Sequence, residues 1–257
     1  MSETDEASAT TAAERTQLLG GRVICLQPHA GFRAAIDPVL MAAAVPAAAG
    51  DMVLDVGTGT GAAALCLAAR VAGAAVVGLE VQAPLVALAQ AGAEANGWTG
   101  RVRFVEGDIL APSVDIPAGG FDHVMANPPY LQAGRSRPSP DPAKAMATVE
   151  GRAKLADWVS FAIGRVRDGG SINFIHRWDR LDELIAALTQ LAGGIEILPL
   201  LPKADAAPKR VIVRGHKGAV GATVRKPPLI LHEADGAYTV AAEGVLRDGQ
   251  SLLECPP

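Results

Sequence analysis

The chain has 257 residues, 49% of them hydrophobic and only 4% aromatic, with a formal net charge of −4. Such a chain can bury a large core, and an α/β protein of this length is often a single domain. No apolar run of about 18 residues escapes a charge, and the acidic start MSETDEASATTAAE has no apolar stretch of the signal-peptide kind, so a cytoplasmic protein with no membrane segment is expected.

Residues 1–15 read as a disordered acidic N-terminus. Alternation then begins. Met52–Val56 is a short apolar run ending at glycines, and Ala62–Val71 is patterned as a helix. Strand Ala75–Leu79 and helix Pro84–Ala95 follow, the helix closed by Asn96-Gly97. Val102–Val105 and Phe121–Ala126 are two more strands. Leu155–Val166 is a helix stopped by Gly169-Gly170, before strand Ser171–His176 and helix Arg180–Leu191. Ile195–Leu200 and Arg210–Val213 are joined by a Pro-rich link too short for a crossover helix, so they should pair antiparallel. Leu229–His232 reads as an appended strand and Val240–Leu246 as a short helix. The pattern predicts an α/β fold with a doubly wound, mostly parallel seven-stranded sheet and a final antiparallel strand. The expected division is residues 16–226 as the main domain and 227–257 as a C-terminal extension packed on it. Cys25, Cys66 and Cys255 show no metal-ligand or redox spacing, so no metal is expected.

The first strand runs into Asp55-Val-Gly57-Thr58-Gly59-Thr-Gly61-Ala62, and Glu80 ends the second strand 21 residues after Gly59. Gly57, Gly59 and Ala62 also satisfy the G-x-G-x-x-A pattern of dinucleotide binding, which makes an NAD-dependent oxidoreductase a competitor. Charge separates the two readings. NAD would set a pyrophosphate dianion over this loop, with Asp55 beside it, which is unfavourable. S-adenosyl-L-methionine has no phosphate and carries a sulfonium and an ammonium, which Asp55 attracts; the alternative for Asp55 is a turn cap. The glycines admit the ligand without Cβ clashes. Glu80, with Val81 next to it, would accept from the ribose hydroxyls. At the end of the third strand Asp108 could accept from the adenine amine, with Ile109 against the purine, or be a solvated turn residue.

The fourth strand ends in Asn127-Pro128-Pro129-Tyr130, and two prolines cannot donate to a sheet ladder. One reading is a stiff turn. The other is a clamp for a planar, conjugated amino group, whose nitrogen lone pair is delocalised and poorly nucleophilic. The Asn127 side-chain oxygen and the Pro128 carbonyl would take its two N–H protons and hold it in line with the sulfonium methyl. The prolines keep the carbonyl rigid, and Tyr130 offers a ring face for stacking. No base is needed before attack, since the proton leaves to water afterwards, and the rate gain is positional.

DVGTGTG, Glu80, EGD and NPPY together resemble a class I S-adenosylmethionine-dependent methyltransferase acting on an amino nitrogen. With QPHAGFRAAIDPVL from Gln27 to Leu40, Ile175-His-Arg and Lys209-Arg-Val-Ile-Val-Arg-Gly, the chain resembles the bacterial tRNA adenine-N6 methyltransferases that modify a valine tRNA. The resemblance implies a Rossmann-like fold and S-adenosylmethionine as cofactor. It implies Asp55, Gly57, Gly59, Glu80 and Asp108 as cofactor contacts and Asn127, Pro128 and Tyr130 as the acceptor clamp. Thr58 stands where the family more often has Cys. Arg33 could meet the carboxylate of the methionine moiety or be a surface arginine. Asp37, ahead of Pro38, could contact the cofactor or cap a helix with proline at its first position.

The acceptor is not fixed by these motifs. Release-factor glutamine methyltransferases also carry NPPY, and the clamp fits a carboxamide. They have a helical substrate domain ahead of the glycine loop, for which residues 16–51 are too few. Between Lys203 and Lys226 there are seven Lys or Arg against one acid, a stretch suited to a polyanion or simply a solvated face. With Lys209, Arg210, Arg214 and Lys217 on phosphates, tRNA is the favoured partner. Oligomeric state is left open.

Overall fold

The computed structural model describes residues 13–29, 36–111, 116–130 and 151–253. It opens with a hairpin, β1 (Ala13–Leu18) against β2 (Val23–Pro28), paired antiparallel from Ala13↔Pro28 to Leu18↔Val23. The expected disorder is thus overturned for Ala13, Glu14 and Arg15, which are paired strand residues. The physical reason lies in β2. Val23, Cys25 and Gln27 point inward at alternate positions and are buried, so the hairpin has a core-facing side.

Helix α1 (Asp37–Ala44) leads to β3 (Met52–Val56), α2 (Ala62–Arg70), β4 (Ala75–Glu80), α3 (Ala83–Ala95), β5 (Val102–Glu106) and β6 (Phe121–Ala126). After them come α4 (Leu155–Arg165), β7 (Val166–Arg177), α5 (Leu181–Leu188), β8 (Ala192–Leu201) and β9 (Arg210–Lys217). Two short strands, β10 (Val224–Arg225) and β11 (Leu229–Ile230), and helix α6 (Val240–Leu246) finish the described chain. The main sheet has nine strands, ordered β5-β4-β3-β6-β7-β9-β8, with β10 and β11 both parallel on the outer edge of β8. The seven expected strands form its body, and β9 runs antiparallel between β7 and β8 as the short Pro-rich link demands. The strand expected over Leu229–His232 is present as β11, cut to Leu229–Ile230 and joined to the main sheet, whereas β10, two residues long and too short to carry a periodic signal, is the unexpected one.

One face of the sheet packs on α1, α2 and α3, where a run of alanines in α1 and α2 allows close approach, and the other on α4 and α5. Val245 of α6 and Leu229 join the first of these cores, and the Leu252 N–H bonds to the Ala43 carbonyl, tying the C-terminal segment to α1. Helix α4 ends at Arg165, four residues before the glycines expected to stop it. Val166 already pairs with Phe121, and Gly170 passes the Asp122 carbonyl so closely that a Cβ would lie 2.5 Å from it. The glycine pair therefore serves an irregularity in the ladder, not a helix end. Strand order reverses between β3 and β6, so their carboxyl ends open a crevice, the place where doubly wound sheets bind ligands.

Candidate active site at the strand reversal

A cavity of about 460 Å³ fills that crevice. Its floor is the loop from Asp55 to Ala62. The N–H groups of Gly57 and Thr58 both donate to the Leu79 carbonyl, at 2.8 and 3.0 Å, which pins the loop to the end of β4. Gly57 and Gly59 have φ of +68° and +58°, a region that L side chains rarely adopt. A Cβ on Gly57 would strike the Trp158 ring at 2.6 Å, whereas one on Gly59 would meet nothing within 4 Å. Gly61, also at positive φ, begins α2, whose first residues Ala62 and Ala63 line the cavity.

Two buried carboxylates face this space. Asp55 is 1% exposed and accepts the Thr58 hydroxyl at 2.6 Å. Burial pushes its carboxyl up to about 7, the Thr58 hydrogen bond opposes this, and the charge of Glu80 adds to it. Among the described residues no basic side chain pairs with Asp55. Glu80 accepts backbone N–H groups from Gly59 at 2.9 Å, Val81 at 3.0 Å and Gln82 at 3.1 Å. Two carboxylate oxygens offer roughly four acceptor positions, so capacity remains on Oε2. The half-exposed Val81, Ile109 and Leu110 supply apolar wall, and Asp108 stands at the rim accepting the Leu110 N–H at 2.9 Å.

Asn127, Pro128, Pro129 and Tyr130 form the opposite wall, directly after β6. Pro128 is buried. The Tyr130 hydroxyl lies 2.7 Å from Asp37 Oδ2 and 2.5 Å from the Asn127 side-chain oxygen. Arg210 Nε donates to the same Asp37 oxygen at 3.0 Å, and its guanidinium sits 4.4 Å over the Tyr130 ring. The buried His176, held neutral because burial pushes it down to about 4, meets that ring edge-on at 5.4 Å.

The predicted residues of the glycine loop, the strand ends and the NPPY wall are thus brought together around one cavity, with Asp37 beside Tyr130, and three of the sequence expectations need correction or fall outside the described residues. Asp37 is not a helix cap. Ile36 occupies that position, Asp37 is the first residue of α1, and its carboxylate serves Tyr130 and Arg210. Arg33 lies outside the described residues. The basic quartet is split. Arg210 and Arg214 project from β9 toward α1, Arg214 bonding the Ala44 carbonyl and pairing with Glu196. Lys217 projects from the other face, to the Val166 carbonyl and Asp168. Odd and even positions of one strand cannot share a surface. Lys209 is exposed. The sequence reading missed Trp158 and Met41, both in the cavity wall. Each sits in an apolar helix where nothing in the spacing marks it.

A methyltransferase-domain family model matches residues 53–149. The tRNA1(Val) (adenine(37)-N6)-methyltransferase of Porphyromonas gingivalis is 31% identical over 224 residues, covering 83% of this chain and 86% of that protein. The chain belongs to this methyltransferase family. It is an S-adenosylmethionine-dependent methyltransferase, and the cavity fits that cofactor. A buried carboxylate without a basic partner suits a cation, Glu80 retains acceptor capacity for hydroxyls, and the space above Gly59 is one that a side chain would fill. The release factor glutamine methyltransferase of Chlorobaculum tepidum is 42% identical, but over only 93 residues, 36% of this chain and 32% of that protein. Among solved structures, one described as a predicted O-methyltransferase from Agrobacterium tumefaciens superposes with a TM-score of 0.70 at 26% identity, covering 84% of this methyltransferase and 97% of that chain. No helix among the described residues is long and apolar enough to cross a membrane.

Proposed function

We propose that this methyltransferase acts on the exocyclic N6 of an adenine in tRNA, in the cytoplasm. The observation that carries the reading is the NPPY wall facing the Asp55–Glu80 floor across one cavity, in a chain alignable over most of its length with tRNA adenine-N6 methyltransferases. When bound, S-adenosylmethionine supplies an electrophilic methyl group on a cationic sulfur. Asp55 would face the cationic end of the ligand, Glu80 would accept from the ribose hydroxyls, and Asp108 and Ile109 would border the adenine. On the acceptor side, the Asn127 side-chain oxygen and Pro128 carbonyl would each accept one N–H of the acceptor amine. That holds the nitrogen in place with its lone pair turned toward the methyl group. The base must leave its stack to reach this wall, where Tyr130 supports it. Methylation of the held nitrogen would leave the sulfur neutral, and the proton lost from nitrogen would go to water.

The test is incubation with labelled cofactor and a mixture of total tRNA and ribosomal-fraction proteins including release factors, followed by nucleoside and peptide analysis. Label in N6-methyladenosine is the expected outcome. Label in glutamine would replace the acceptor, and none in either would overturn both readings.

A further inference from the structure

The contacts around Tyr130 contain a conflict of protons. Its hydroxyl has a single proton, yet it lies within hydrogen-bond distance of two oxygens, Asp37 Oδ2 at 2.7 Å and Asn127 Oδ1 at 2.5 Å. A bond to a carboxylate that also receives Arg210 is the stronger use of that proton. Two oxygens would then face each other at 2.5 Å with nothing between them. Turning the Asn127 amide by half a rotation removes the clash, because it replaces an oxygen facing an oxygen with an N–H donor facing one. The amide nitrogen then donates to Tyr130 and the oxygen faces away from it. We propose that Arg210, Asp37 and Tyr130 are positioning residues that set the orientation of the Asn127 amide and so present its oxygen to the acceptor amine.

The direction of every bond follows from the Arg210 end. A guanidinium can only donate, a carboxylate accepts, the tyrosine hydroxyl therefore donates to Asp37, and its oxygen is left to accept from Asn127. Burial, followed by the adjacent Asp37 charge, raises the Tyr130 hydroxyl above its ordinary range, which keeps the proton in place. The stacked guanidinium, 4.4 Å from the ring centre, and the edge of His176 fix the ring in the position the relay needs. The wrong amide orientation would offer the acceptor N–H groups a donor instead of an acceptor. This role rests on the methyl-transfer reading and gives Asp37 and Arg210 work different from the cofactor and phosphate contacts expected of them.

A double-mutant cycle tests it, with Tyr130→Phe measured in the parent and in Asn127→Asp. A carboxylate at position 127 has no donor end, so its orientation needs no setting. Tyr130→Phe should lower kcat at least about tenfold in the parent while changing cofactor affinity by less than about twofold. In the Asn127→Asp background the same change should cost less than about twofold. A near-parental kcat for Tyr130→Phe overturns the proposal, as does an equal loss in both backgrounds. Should Asn127→Asp turn over too slowly to measure, Tyr130→Phe decides alone. The parent's own turnover on tRNA or release factor separates failure of the methyl-transfer reading from failure of the relay. For a parent active on neither, the nitrogen-15 spectrum of the Asn127 side chain, assigned by its loss in Asn127→Asp, is the readout. Its amide protons should shift in Tyr130→Phe and in Asp37→Leu, and unshifted signals would overturn the relay.

Discussion

Asp55 shows how burial makes a residue sensitive to a ligand's charge. Desolvation favours the neutral acid and pushes its carboxyl up to about 7. A cationic ligand favours the ionised form, so below pH 7 binding must first release a proton. The sign follows. Affinity should be highest above pH 7 and fall as pH drops from about 7 to 6, with proton release on binding near pH 7. Calorimetry in buffers of different ionisation enthalpy measures that proton directly. Asp55→Asn should lose affinity and abolish the release together. Affinity that is flat across this range, with no proton released, would mean that Asp55 does not face the cation. The same raised carboxyl is a liability without ligand. The folded state holds a proton that the unfolded state gives up, so Asp55 lowers stability as pH rises from its ordinary carboxylate value through 7.

At the scale of elements, the turn from β3 to α2 separates two reasons for a glycine. Gly57 and Gly59 share a left-handed backbone, so alanine at either stores strain of roughly 1–2 kcal/mol. At Gly57 the added carbon also drives into Trp158 of α4 at 2.6 Å, while at Gly59 it enters open cavity. Gly57→Ala should therefore lower stability in denaturant unfolding clearly more than Gly59→Ala. Gly59→Ala should keep most of its stability and lose cofactor affinity, because its methyl group occupies ligand space. Equal destabilisation by the two would show that strain alone decides. Periodicity made β3, α2, β6 and α6 legible almost to the residue, since each pairs a clear apolar run with a clear stop. The hairpin was not legible because polarity in β2 does not follow burial, with apolar Ile24 and Leu26 on its outer side and polar Gln27 buried, and because its Leu19-Gly20-Gly21 connection forms a short 3-10 turn instead of a two-residue turn. Long-range contact decided the rest. The Gly169-Gly170 pair reads as a helix stop until Asp122 is set beside it. Asp37 reads as a cap until Tyr130 and Arg210, 93 and 173 residues away in sequence, reach its carboxylate.

At the scale of the whole molecule, the question is which cations remain for a polyanion. The stretch from Lys203 to Lys226 looks in sequence like a basic strip, but folding uses most of it internally. Arg214 and Lys226 both pair with Glu196, Arg210 holds Asp37, and Lys217 meets Asp168 from the opposite face of the sheet. A cation already paired within the protein releases few counterions when RNA binds, and one on the far face releases none. Lys209 differs. It is exposed, its backbone carbonyl accepts the Trp178 N–H where β7 ends, and it precedes the arginine stacked on Tyr130. For the tRNA acceptor proposed above, it is therefore the member of the quartet expected to meet a phosphate. Filter retention of tRNA over a salt series should show Lys209→Ala reducing the slope of log affinity against log salt by roughly 1. Lys217→Ala should leave that slope unchanged, and neither variant should alter cofactor affinity. The reverse ranking would place the RNA across the other face of the sheet. Unchanged slopes in both would mean that the phosphates are held by residues outside this stretch.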